Sequence, residues 1–339
     1  MEPETVVIEG PYLFVPLYGF GSNVDLLEFA EGVQICLYDP DRLDLLLEHW
    51  EGLRDYLRVY PTEYLIQARP HNLEFSVSIS EDTDVDAYRM SMRFSKEWFT
   101  VASGLVYTLR LFKPGHFARG PEWLCITRAL DAELKRGIGL WLSTVPEPAA
   151  PPTVPKGVTY FFDPAEMDCF KKFDEDLSSA FSELRNFPKL ALARSYFEDS
   201  FDEKAQENQI VDIFVCLEAL LLEKAEELVL RLATRMANLL GADGDERKKV
   251  FDGVKNFYNV RSKIVHGEIL KPRQAELVCE VGRLRELARR AILSSVALGL
   301  EVGLGAEFFA LLDAMSLDEN QRTNVQKKAS RFLFMHKEG

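Results

Sequence analysis

Residues 145–157, VPEPAAPPTVPKG, place five prolines in thirteen positions. Each proline fixes φ and removes an amide donor, so neither a helix nor a central strand can run through the stretch. The segment reads as an extended linker or a rigid surface crossing. It divides the chain of 339 residues into parts with different patterning, and the expected domains are 1–150 and 157–339.

Ahead of the prolines, TVVIEGPYLFVPLYGF, GVQICLY, EYLIQA and LEFSVSIS are short, rich in β-branched and aromatic residues, and partly alternating. These are strand signals. DPDRLDLLLEHWEGLRDYL (39–57) predicts an amphipathic helix opening at an Asp-Pro cap. Residues 86–142 are ambiguous, and WFTVASGLVYTLRLF suits either a helix or a buried strand. Beyond the prolines the period changes. Six segments between residues 162 and 300 carry helical spacing, the last of them AELVCEVGRLRELARRAILSSVALGL (275–300) read as one helix, and glycine or proline punctuates most joins. The expected fold class is α+β: a mixed α/β-sheet domain followed by an all-α bundle.

No basic leader precedes an apolar stretch, and the most apolar late segment, VALGLEVGLG, is too short for a membrane span. The five cysteines are scattered and contain no CxxC pair. This composition predicts a cytoplasmic protein with no membrane partner, no disulfide or zinc framework and no cofactor. His49, His71 and His116 have no spaced partners and read as structural or surface residues, and Gly19-x-Gly21 reads as a turn. The net charge of −14 speaks against a nucleic-acid ligand. Residues 247–273 are an exception, with eight basic groups against Asp252 and Glu268.

That basic stretch holds a further anomaly. An apolar stripe runs Val250, Val254, Phe257 and then meets Arg261, where a core residue is expected. Arginine is rarely fully buried without a partner, and Glu218 in CLEALL is the obvious carboxylate. His266 follows five residues later, roughly 140° around an ideal helix. Ser262 lies one turn before it and Tyr258 one turn before that. His266-Gly267 reads as a helix C-terminus with glycine at C′. On residues alone, an arginine paired with Glu218 and a plain capping histidine is a sufficient account.

Arg261-Ser262-Lys263-Ile264-Val265-His266 also resembles the Arg-x4-His signature of HEPN domains. Its surroundings strengthen the resemblance. IVDIFVCLEALLLEK, EELVLRLATRMANLLG and ERKKVFDGVKNFYNVRSKIVHGEIL, in this order, are similar to the Apea-like HEPN family. The resemblance covers roughly residues 190–300, with weaker echoes in LRLFKPGHF and FFALLDAM, and leaves most of 1–150 unexplained. It implies a homodimeric, metal-independent endoribonuclease with the paired motifs in one cleft. Arg261 and His266 are then catalytic, with Ser262, Glu218 and Tyr258 supporting. Lys255, Lys263, Lys271 and Arg273 become candidate RNA contacts. Arg235 suits a cleft-lining or a structural role equally.

Histidine moves protons near neutrality, and arginine's planar fork matches phosphate oxygens. The implied biology is a toxin or abortive-infection effector in phage defence, with residues 1–150 sensing a trigger ligand or protein, or restraining the nuclease. Two non-enzymatic alternatives stay open: a HEPN-like module that binds RNA or protein without cleaving, and a helical dimerisation module for another effector. Some HEPN toxins are silenced by adenylylation of a tyrosine two residues after the histidine; Glu268 occupies that place here.

Overall fold

The computed structural model describes residues 5–38, 51–68, 75–78, 99–129, 137–143, 159–203, 205–223 and 227–333. The proline-rich stretch 145–157, the first half of the helix predicted over 39–57, His49 and His71 lie outside these residues. The protein is α+β, with an antiparallel sheet in the N-terminal region and a helical C-terminal part. Packing separates two units, residues 1–107 with 116–164, and residues 108–115 with 165–339.

In the first unit, β1 (Thr5–Tyr18) is the long central strand. The sheet order is β3 (Leu26–Ala30), β4 (Val33–Leu37), β5 (Tyr64–Ala68), β1, β8 (Trp123–Ala129), β9 (Gly137–Ser143). Its neighbours are antiparallel throughout. One strand serves two partners on one side: Thr5–Ile8 pairs β6 (Phe75–Ser78), and Leu13–Leu17 pairs β5. The register against β8 shifts between Glu9 and Tyr12. Pro11 falls in that gap and has no N–H to give a ladder, which is where a bulge is tolerated.

The short strand β7 (Ala118–Arg119) pairs the end of β1, and β2 (Phe20–Ser22) pairs β10 (Tyr160–Phe162) in parallel. Helix α1 (Glu51–Val59) buries Leu53, Tyr56 and Leu57 against Phe14, Leu65 and Trp123 of the sheet. The ambiguous stretch WFTVASGLVYTLRLF is helix α2 (Phe99–Phe112). Its last turns are buried on every side, which explains why it shows no period. The rest of the ambiguous region supplies β8 and β9.

In the second unit, α3 (Met167–Glu183), α4 (Pro188–Asp202), α5 (Gln206–Leu221), α6 (Leu228–Leu240) and α7 (Gly244–Val265) follow one another. α8 (Pro272–Val278), α9 (Val281–Val302), α10 (Ala306–Ala314) and α11 (Glu319–Ala329) complete it. α9 is its axis, with Ala288 and residues 291–299 buried. Residues 275–300, expected as one helix, are instead α8 and α9, separated by Cys279 and Glu280. The turn before α9 is held by an ion pair between Glu280 and Arg283. Residues 108–115 belong to this unit through side chains. Phe112 meets Phe170 and Phe173 edge-on or tilted at 5.3 and 5.4 Å. Arg110 donates to Asp202 at 2.8 Å, and Arg289 donates to the Leu111 carbonyl at 2.8 Å. Among the described residues no single helix is long and apolar enough to cross a membrane.

Candidate active site

Helix α7 carries the Arg261/His266 pair. It starts at Asp243, whose carboxylate accepts the Glu246 amide N–H at 2.8 Å, while Glu246 accepts the Ala242 N–H at 2.9 Å. Together these satisfy orphan donors of the first turn. Val250, Val254, Phe257 and Val260 are among its buried residues, and the helix packs on α5 and α6.

The helix stops in a Schellman turn. The Gly267 N–H donates to the Ile264 carbonyl at 3.0 Å and the Glu268 N–H to the Lys263 carbonyl at 2.8 Å. That bonding needs a left-handed residue at C′, and Gly267 supplies it with φ 67°. His266 is the C-cap residue, exposed, with its N–H donating to the Ser262 carbonyl at 3.1 Å.

Arg261 looks the other way, towards α5. Its Nη2 lies 3.8 Å from Glu218 Oε2, too long for a hydrogen bond. Its guanidinium carbon stands 5.5 Å from the centre of the Tyr258 ring, a cation–π distance. Tyr258 is set in turn by Phe214, edge-on at 5.1 Å. Burial pushes the Tyr258 hydroxyl above its ordinary pKa; the Glu218 charge adds to this and Arg261 opposes it. Two polar atoms in this group, Arg261 Nε and Glu218 Oε1, are buried without a hydrogen-bond partner.

Other buried arginines of the unit are tied down. Arg235 meets Asp313 with both Nε and Nη2, at 2.7 and 2.8 Å. Arg289 meets Glu286 at 2.7 and 2.8 Å. Arg235 is therefore a structural bolt between α6 and α10, and of its two sequence readings the structural one holds. Arg261 is different: about one-fifth of its side chain is exposed, and its nearest carboxylate is beyond hydrogen-bond reach.

The structure thus brings together Arg261, Glu218 and Tyr258. His266 sits apart, and its imidazole makes no hydrogen bond to another described residue. Ser262, next to Arg261 in sequence and one turn before His266, is half-buried. Lys255 lies over Phe251 at 5.1 Å, and Lys263 is paired with Glu268 at 3.2 Å. Lys271 and Arg273 line a cleft of about 550 Å³ with Asn256, Asn259 and Gln274, residues that no sequence signal singled out. Val265, just before His266 in sequence, and Ile269, three residues after it, are 51% and 92% exposed. Among the described residues no group of three or more His, Cys, Asp or Glu is placed to hold a metal. Comparison with protein families, characterised proteins and solved structures found no match.

Proposed function

We propose that the helical unit is a HEPN-type, metal-independent endoribonuclease of the Apea-like kind, acting as a homodimer. The observation that carries this is the state of Arg261. Its guanidinium is positioned by Tyr258 and Glu218 but left with a buried, unbonded Nε, close in sequence to an exposed histidine. A buried donor without a partner calls for an explanation, and a catalytic role is one. A second copy covering Val265 and Ile269 brings two such helix ends together.

The RNA supplies its own nucleophile. The 2′-oxygen forms a bond to the adjacent phosphorus, and the bond from phosphorus to the 5′-oxygen breaks. The 2′-OH proton passes to one His266 imidazole acting as base. A protonated imidazole, that of the other copy, returns a proton to the leaving 5′-oxygen. Arg261 faces the non-bridging oxygens, where charge is greatest in the transition state. The products are a 2′,3′-cyclic phosphate and a 5′-hydroxyl. Lys255, Lys263, Lys271 and Arg273 hold the strand. The role is toxin or abortive-infection effector, with the sheet unit sensing a trigger or restraining the nuclease.

The test is induced expression of the wild type and His266→Ala, scoring growth arrest and total RNA together. Arrest with fragmented RNA in the wild type alone, and a folded dimer in both, supports the reading. Equal toxicity without RNA fragmentation overturns it.

One observation favours a second reading, a non-cleaving binding or dimerisation module: within one chain Arg261 and His266 are not hydrogen-bonded to each other. That reading expects Arg261→Lys and His266→Gln to keep full function, whereas the nuclease loses most of its activity in both.

A further inference from the structure

The cleft between α7, α8 and the start of α9 is polar and its charges are unevenly engaged. Glu280 is paired with Arg283, and Glu276 adds one carboxylate with no ion pair among the described residues, so the lining keeps a net positive charge. Lys271 and Arg273 make no ion pair among the described residues, and both are exposed. Asn256 and Asn259, one turn apart on α7, present amides with no hydrogen-bond partner among those residues. Another cleft of the unit, about 490 Å³, differs. There Arg289 is bonded to Glu286 and to the Leu111 carbonyl, and Arg290 donates to the Leu240 carbonyl at 2.6 Å.

We propose that the cleft bounded by Asn256, Asn259, Lys271 and Arg273 is a nucleotide subsite for single-stranded RNA, in which the two cations hold phosphodiester and the two asparagines read the edge of an unstacked base. This rests on the reading that RNA is the substrate, and it adds how sequence is chosen. An asparagine amide carries both donors and an acceptor, the set needed to match a base edge. The volume is that of a small-ligand site. A paired base in an A-form duplex is not free to enter it, whereas loops and single strands can splay their bases out. The wall also adjoins the motif: Val260 lines the cleft and Arg261 is the next residue. A base held here sets which phosphodiester reaches the next turn of α7.

The test is fluorescence anisotropy with the full chain carrying His266→Ala. Probes are labelled ten-nucleotide RNAs of each single base, a duplex of mixed sequence, and nucleoside monophosphates as competitors. The expected result is tighter binding of one homopolymer over the others by roughly 5–150-fold, with the duplex weaker. Asn256→Ala with Asn259→Ala is expected to erase the preference. Lys271→Ala with Arg273→Ala is expected to weaken all oligonucleotides alike and lower the salt slope by about 0.7 for each phosphate no longer neutralised.

All four side chains are exposed, and unchanged melting temperatures check folding. Base-blind binding, binding indifferent to these variants, or no binding overturns the subsite. Monophosphates that compete as well as the oligonucleotides overturn it too, in favour of a free-nucleotide site. The nuclease reading fails separately: wild type that binds oligonucleotides in this pattern but leaves them uncut keeps the subsite and loses the enzyme.

Discussion

Arg261 and Arg235 differ in what their removal should do. Arg261 lies beyond hydrogen-bond reach of Glu218 and is partly exposed. An ion pair of that kind contributes about 1 kcal/mol or less. On the proposed nuclease reading, Arg261→Ala is therefore expected to change unfolding free energy by no more than about that, measured in urea, while RNA cleavage falls roughly 10²–10³-fold, the size of losing a transition-state donor. Asp313→Ala should do the reverse. It strands the Arg235 guanidinium, 1% exposed, without its carboxylate. Asp313 is itself 57% exposed and the Leu221 carbonyl still accepts from Arg235, so the expected loss is about 1–3 kcal/mol of stability, with any residual cleavage tracking only the folded fraction.

Asp212 offers a pH signature. Burial, then repulsion from Asp199 and Glu203, raises its carboxyl to about 6. The fold therefore favours the protonated acid. Relative to the unfolded chain, that contribution is full below the ordinary aspartate value and is lost as pH rises through about 6. Wild type should gain stability between about pH 7 and pH 5 from this group, and Asp212→Asn should show a smaller gain in urea midpoint over the same window.

At the scale of elements, the end of α7 is the sensitive place. Gly267 holds a left-handed conformation and a side chain there meets no atom within 4 Å, so Gly267→Ala costs only backbone strain, about 1–2 kcal/mol. The expected outcome is a modest drop in melting temperature with a larger drop in cleavage, because the turn that presents His266 is what frays. This end was legible in the sequence, since His-Gly after an apolar stripe specifies a stop. So was Glu218, because an arginine replacing a core residue demands a carboxylate nearby. The cleft beside it was not. Asn256 and Asn259 are exposed polar residues on a solvated face, and nothing in their spacing distinguishes a base reader from a surface amide. The break at Cys279–Glu280 was also hidden, because apolar spacing continues across it and the nearest glycine, Gly282, falls inside the helix that follows. In the sheet, β8 and β9 escaped recognition for a related reason. WLCITRA and GIGLWLS are short, and an ambiguous apolar run lies ahead of them.

For the whole molecule, the exposed pair Val265 and Ile269 makes a definite demand. On the proposed reading of a dimeric nuclease, Ile269→Glu is expected to give a monomer by light scattering and abolish cleavage with no loss of melting temperature, because a side chain 92% exposed contributes little to the fold of one chain. The boundary at the prolines is not where the helical unit ends. A fragment of residues 157–339 lacks Phe112, the partner of Phe170 and Phe173, and the Leu111 carbonyl that Arg289 requires. Such a fragment should unfold at lower temperature than the intact chain and bind a hydrophobic dye. Adding a peptide of residues 105–116 should partly restore it.

The same borrowed segment bears on how the protein is made. Leu109, Leu111 and Phe112, all buried at the end, leave the ribosome long before the helices that cover them. At about 5–20 residues per second, the wait for α9 is on the order of ten seconds or more. Until α3 follows, Phe112 lacks Phe170 and Phe173, and the Leu111 carbonyl has no Arg289 to bond it until α9 is made. The protein's yield in a cell should therefore depend on chaperones that hold such a segment, and slower, cooler synthesis should favour recovery of the folded chain.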